Sequence, residues 1–180
     1  MSTIALPKDL LRQGRVAKED SSFKNHDRLY ARHKPGVGWD EKEGLPDFTQ
    51  IKMTQSLNWC LYSLPHWCRF NDAGEYLNNY AVVSYSHAEI TNISEQSEEK
   101  RLSGNIKALK IIHDPIELNY SHCELRVMSD LGSINKTDRR AIRAKFKHAS
   151  SVELKPFERP NRFINAMEFI KMKTGRLLRK

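Results

Sequence analysis

Cysteine is scarce, with three in 180 residues. That number is odd and too small for the disulfide framework of a small secreted domain. No uninterrupted apolar run approaches the ~18 residues that mark a bilayer span, and no signal-peptide core follows Met1. Glycine (8) and proline (7) are few and follow no period, which excludes collagen-like and low-complexity chains. The hydrophobic content of 39% is modest. Several motifs are missing as well. There is no G-x-x-x-x-G-K-[ST], and Gly36-Val37-Gly38 has neither the third glycine nor the helix of a dinucleotide fingerprint. Neither G-x-S-x-G nor H-E-x-x-H occurs. Nucleotide hydrolases, dinucleotide oxidoreductases, zincins and most serine hydrolases therefore recede. The expectation is one domain of a cytoplasmic protein, long enough to bury a core without staples.

Charge is abundant and unevenly placed. Residues 1–125 hold 15 Lys and Arg against 17 Asp and Glu, net −2, whereas residues 126–180 hold 15 against 5, net +10. A segregated cationic block is an electrostatic statement about partners, nucleic acid or another polyanion first among them. As a helix, residues 137–148 stack Arg139, Arg143 and Lys147 at i, i+4 spacing, with Lys136 and Arg140 beside them and Ile142 and Phe146 turned to the core. As a strand, Arg143, Lys145 and Lys147 still share a face. The composition leans to helix. Lys171, Lys173, Arg176, Arg179 and Lys180 extend the block. Aromatic residues are sparse within it, which favours contact with the phosphate backbone over base stacking.

Residues 1–47 are rich in charge and turn signals and read as an extended arm, partly disordered unless bound, with one short helix between Pro7 and Lys18. The arm is a candidate surface for a protein partner. Residues 48–180 read as a single α+β domain, a small antiparallel sheet packed by two or three helices. A helix is expected over 49–64, with Thr49 as its cap and Pro65 as its end. Strands are expected over 76–90 and 106–128, broken at Pro115, and a loop or short helix over 94–103. Val152–Phe157 reads as a further strand. The last helix, 161–174, has Asn161 as its cap, Phe163, Ile164, Met167 and Ile170 as a core-facing stripe, and Gly175 just past its end.

The sharpest motif is an echo: Tyr85-Ser86-His87-Ala88-Glu89-Ile90 returns as Tyr120-Ser121-His122-Cys123-Glu124-Leu125. If both copies are strands, each puts Tyr, His and Glu on one face. Neighbouring strands would then bring His87, Glu89, His122 and Glu124 together as a catalytic set for a metal- or His-dependent hydrolase, most naturally a nuclease or phosphodiesterase. A divalent metal would enter only with that alternative, and otherwise no cofactor or metal is expected. The arrangement is similar to the paired His-x-Thr/Ser motifs of 2H phosphoesterases, with Glu89 and Glu124 in place of the hydroxyl residues. The second copy also resembles the S-H-x-E-L strand of circularly permuted NlpC/P60-type proteins, which implies His122 as a general base. No cysteine follows Cys123, where the permuted order places the nucleophile. Cys60, His66 and Cys68 have ligand chemistry but a C-x5-H-x-C spacing outside the usual zinc patterns. The leading expectation is thus a basic nucleic-acid-binding or assembly protein of phage or mobile-element type. The alternatives are the hydrolase and a scaffold or inhibitor whose arm wraps a partner.

Overall fold

Alternation of buried and open residues builds the sheet, and its central strand comes from the part of the chain read as an arm. The computed structural model describes residues 22–47, 55–71, 73–99, 109–116, 119–127 and 136–178. In β1 (Arg28–His33), Leu29, Ala31 and His33 point to one face and Tyr30 and Arg32 to the other. β1 pairs antiparallel with β4 (Gln55–Trp59) and with β5 (Ala81–Ser86). The arm boundary at 47 therefore does not hold over 28–47, because a strand with apolar residues on both faces is held in the middle of a sheet. β2 (Trp39–Asp40) and β3 (Leu45–Pro46) form a small separate hairpin in the same stretch. The helix read between Pro7 and Lys18 lies outside the described residues.

β6 (Leu109–His113), β7 (His122–Val127) and β8 (Ser151–Leu154) complete a six-stranded sheet of order β6-β7-β4-β1-β5-β8, in which every pair is antiparallel. With three helices among the described residues, the architecture is α+β. The helix expected over 49–64 is replaced, within the described residues, by β4 and a turn. Leu57 and Trp59 are buried while Ser56 and Asn58 are not, a period of two that helical spacing does not satisfy. Pro65 opens a 3-10 turn, Pro65–Arg69, instead of closing a helix.

Two layers cover the sheet. On one face lie α1 (His87–Glu99) and α2 (Lys136–Ala149), whose Ile90, Ile93, Ile142 and Phe146 join Leu29, Leu57, Trp59, Val83, Tyr85 and Leu125 in the main core. Residues 137–148 are thus helical. On the other face, Leu64, Trp67 and Phe70 meet Met172 of α3 (Arg162–Leu177), and Tyr30, Cys68, Val82 and Leu154 pack beside them. Asn161 caps α3 as expected, accepting from the amides of Phe163 and Ile164. Gly175 lies inside α3 against Leu61 and does not end it.

One buried cation locks the loop before α3. Arg69 is 1% exposed, and it donates to the carbonyls of Tyr80 at 2.9 Å, Glu158 at 2.7 Å and Lys155 at 2.5 Å. Phe157, in this loop, has φ of 61° and a 67% exposed ring.

The orientation of α3 departs from the reading of its stripe. Phe163, Ile164, Met167 and Ile170 face outward and are exposed. The face toward the body is formed by Phe169, whose ring lies 6.2 Å from Trp67, by Met172, and by Arg176, which donates to the Leu61 carbonyl at 2.7 Å and lies over the Tyr62 ring. A helical period identifies a stripe but not the side on which a neighbour covers it.

Candidate functional site

The two copies of the echo have different local structures. In the first, the strand ends at Ser86 and a helix begins at His87. The Ser86 hydroxyl accepts from the Glu89 amide at 3.1 Å, and the Glu89 carboxylate accepts from the Ser86 amide and hydroxyl at 2.8 Å each. This is a capping box, in which a Ser and the Glu three residues on satisfy each other's orphan donors. Glu89 is occupied in starting α1. His87 stacks on Phe23, at 5.4 Å and 6° between ring planes, and Phe23 lies 4.1 Å from Trp59 on the helical side of the sheet. Burial lowers the His87 pKa, against a smaller upward pull from Asp27.

The second copy is a strand. His122 and Glu124 share the face opposite the main core, Cys123 and Leu125 the buried one. Glu124 pairs with Arg126, which donates Nε at 2.6 Å. The registers Ser84 to Tyr30, Tyr30 to Asn58 and Asn58 to His122 put three strand steps between the two copies, roughly 14 Å at ~4.8 Å each. His87 and His122 thus lie on opposite sides of the sheet and do not face one space. The expectation of twin strand rows is corrected by the capping box, which turns the chain into a helix at His87.

His122 instead lines a cleft of about 410 Å³ on the open face of β1, β4 and β7, together with Arg32, Lys34, Asn58, Tyr80 and Asn119. Among the described residues no carboxylate lines it. His122 Nδ1 lies 2.6 Å from the Asp114 carbonyl oxygen. A carbonyl only accepts, so Nδ1 donates, and in the neutral form of the ring the lone pair is then on Nε2. Beside it, Ser121 Oγ lies 2.6 Å from Asn119 Oδ1 and 2.9 Å from Asn58 Oδ1, and Asn119 Nδ2 donates to Asn58 Oδ1 at 2.6 Å. Arg32 is oriented by the Phe70 carbonyl at 2.5 Å and lies over the Tyr80 ring. Arg32, Asn58 and Asn119 have no motif in the sequence. The one available signal is the alternation in β4, which turns Asn58 away from the core side of Leu57 and Trp59.

The Cys60, His66 and Cys68 constellation does not assemble. Cys68 is buried, 3.8 Å from the Leu64 carbonyl, and burial pushes its thiol up to about 12. Burial, helped by Arg69, brings His66 down to about 4. Cys60 accepts from the Arg28 amide. Among the described residues no group of three or more His, Cys, Asp or Glu could hold a metal ion.

The cationic candidates divide. On α2, Lys136, Arg140 and Lys147 are exposed and Arg143 is half-buried; their spacing of 4, 3 and 4 makes one stripe beside the buried Ile142 and Phe146. Lys145 is half-buried off that stripe. The Arg139 side chain, Arg179 and Lys180 lie outside the described residues. On α3, Lys171 bonds Glu168 at 2.7 Å, Lys173 lies over Phe169, and Arg176 is spent on docking the helix. Among the described residues no helix is long and apolar enough to cross a membrane.

No protein-family model matches the chain, and neither does any curated protein or solved structure.

Proposed function

We propose that the protein binds the phosphate backbone of a nucleic acid through the exposed cationic stripe of α2. The observation that carries this reading is the run Lys136, Arg140, Arg143 and Lys147 on one helix, three of them exposed. The stripe extends over ~17 Å at 1.5 Å per residue, enough to follow about five base steps of a duplex at ~3.4 Å each. Phosphate contact needs charge and reach, and it carries no base sequence. The protein is thus a binding or assembly protein without sequence preference. The test is a salt titration of its affinity for a duplex of arbitrary sequence. The affinity should fall steeply between 50 and 200 mM salt, by ~10²-fold for about four neutralised phosphates, and Arg140→Glu with Lys147→Glu should flatten that dependence. Affinity that does not respond to salt would sink the proposal.

One observation favours a second reading, a His-dependent hydrolase centred on His122 alone. With Nδ1 donating to the Asp114 carbonyl, the neutral form of the ring presents Nε2 as a general base, and the cleft offers the substrate two cations and amide donors. His122→Ala should then abolish hydrolysis of a model phosphodiester while leaving the thermal midpoint near that of the parent. Equal turnover by the two proteins would remove this reading.

A further inference from the structure

The outer face of α3 is the largest apolar feature without a partner among the described residues. Phe163 (74%), Ile164 (56%), Met167 (46%), Ile170 (63%), Leu177 (71%) and Leu178 (78%) are all exposed on one helix. Together they present on the order of 800 Å², the share that one side contributes to a standard protein–protein interface and more than a monomer ordinarily shows.

The spacing is more specific than the area. Phe163, Met167, Ile170, Thr174 and Leu177 are separated by 4, 3, 4 and 3 residues. This is a/d spacing over two heptads, with Ile164 and Leu178 on its flank, and it suits a neighbouring helix. The positions against the body, Phe169, Met172 and Arg176, lie on the other side of the helix. A second helix can therefore lie along the seam without meeting the sheet. Docking on the body also holds α3 folded in advance. Two seams can join without the nucleation cost that leaves short isolated helices unformed.

We infer that the occupant of this face is α3 of a second copy of the chain. Two such faces expose on the order of 1,600 Å², the upper bound on what a pair can bury and the size of a standard interface, and a two-fold pair is the commonest way for one patch to cover itself. The charges beside the seam permit it. In a parallel pair Ala166 meets Lys171 and Lys173 meets Leu178. In an antiparallel pair in which Met167 meets Ile170, Ala166 meets Lys173 and Ile164 meets Lys171. No cation faces a cation in either arrangement, and Glu168 and Arg176 sit toward the body. Thr174 is the one polar residue in the seam, a position where polarity lowers affinity and selects register.

The test is sedimentation equilibrium of the full chain over ~1 to 100 µM. The expected result is a monomer–dimer equilibrium, weakened at least tenfold by Ile170→Glu and tightened by Thr174→Leu. Ile170 is an exposed position, so far-UV circular dichroism of the first variant should match the parent. A monomer throughout the range, or a dimer that Ile170→Glu leaves unchanged, overturns the inference. So does a chain that stays monomeric but sediments with phosphatidylserine–phosphatidylcholine vesicles through this face, which would make the occupant a lipid surface.

Discussion

Ser86 and Glu89 bond each other in both directions, each side chain accepting from the other's backbone amide. The arrangement ends β5, starts α1 and positions Ile90 and Ile93 over the core. Ser86→Ala removes the acceptor for the Glu89 amide and should cost about 1 kcal/mol. Glu89→Ala should cost a similar amount, whereas Glu89→Gln, which keeps an acceptor, should cost less. Chemical denaturation of the three variants measures this ranking. If Glu89→Ala leaves stability unchanged but removes an activity, the carboxylate acts elsewhere than in the cap.

Gly38 approaches His33 closely enough that an added Cβ would lie 2.8 Å from its Nδ1. His33 is buried at the end of β1, and its Cγ and Cβ lie only 3.5 and 3.6 Å from the added atom. Gly38→Ala should therefore destabilise by roughly 1–3 kcal/mol through overpacking. Gly36→Ala provides a contrast: the space around it is open but its φ is 72°, so its cost comes from backbone strain alone. Denaturation midpoints of the pair separate the two causes. Equal stability of Gly38→Ala and the parent would mean that the ring moves freely.

Burial holds His33 and His66 at about 4, well below their ordinary 6.5. Between those values the unfolded chain binds protons that the fold refuses, so stability rises with pH across this window. The stabilisation is complete above pH 6.5 and declines as the pH falls toward 4, below which both states are protonated. For His33 the change is on the order of 3 kcal/mol. His33→Gln should flatten the decline in melting temperature between pH 6.5 and 4. An unaltered acid limb would show that the ring is protonated in the fold.

Some of this was readable in the residues and some was not, for identifiable reasons. The cation spacing of α2 holds whether the segment is helix or strand, and Asn161 caps α3 as its side chain suggests. Leu57, Trp59, Cys60, Leu61 and Leu64 satisfy a loose 3.6 period that suggests a helix, yet Asn58 between the buried Leu57 and Trp59 marks a strand. In β1 the composition points to an arm, since Arg28, Arg32 and His33 outweigh Leu29 and Tyr30, while the sheet uses their alternation. The Ser86-x-x-Glu89 cap was visible in principle but overshadowed by its echo at Ser121, which has the same letters on a strand. The cleft around His122 was half legible. The histidine stood out, but Asn58, Asn119 and Arg32 come from segments far apart in the chain and converge only through strand register.

If copies pair through α3, each dimer offers two α2 stripes, because α2 and α3 lie on opposite faces of the sheet. Pairing then leaves both stripes open, and a long nucleic acid can engage two at once. The second contact is intramolecular and raises the apparent affinity without any new interaction. A duplex long enough to bridge the two copies should bind ~10- to 100-fold more tightly than one that fits a single α2 stripe. Ile170→Glu should remove that length dependence while leaving the affinity for the short duplex unchanged, and Arg140→Glu should weaken both. Fluorescence anisotropy with the two duplexes, at fixed salt, reads all of these outcomes. Length dependence that survives Ile170→Glu would uncouple nucleic-acid binding from pairing, and weak binding of the short duplex by that variant would place α3 itself at the phosphate backbone.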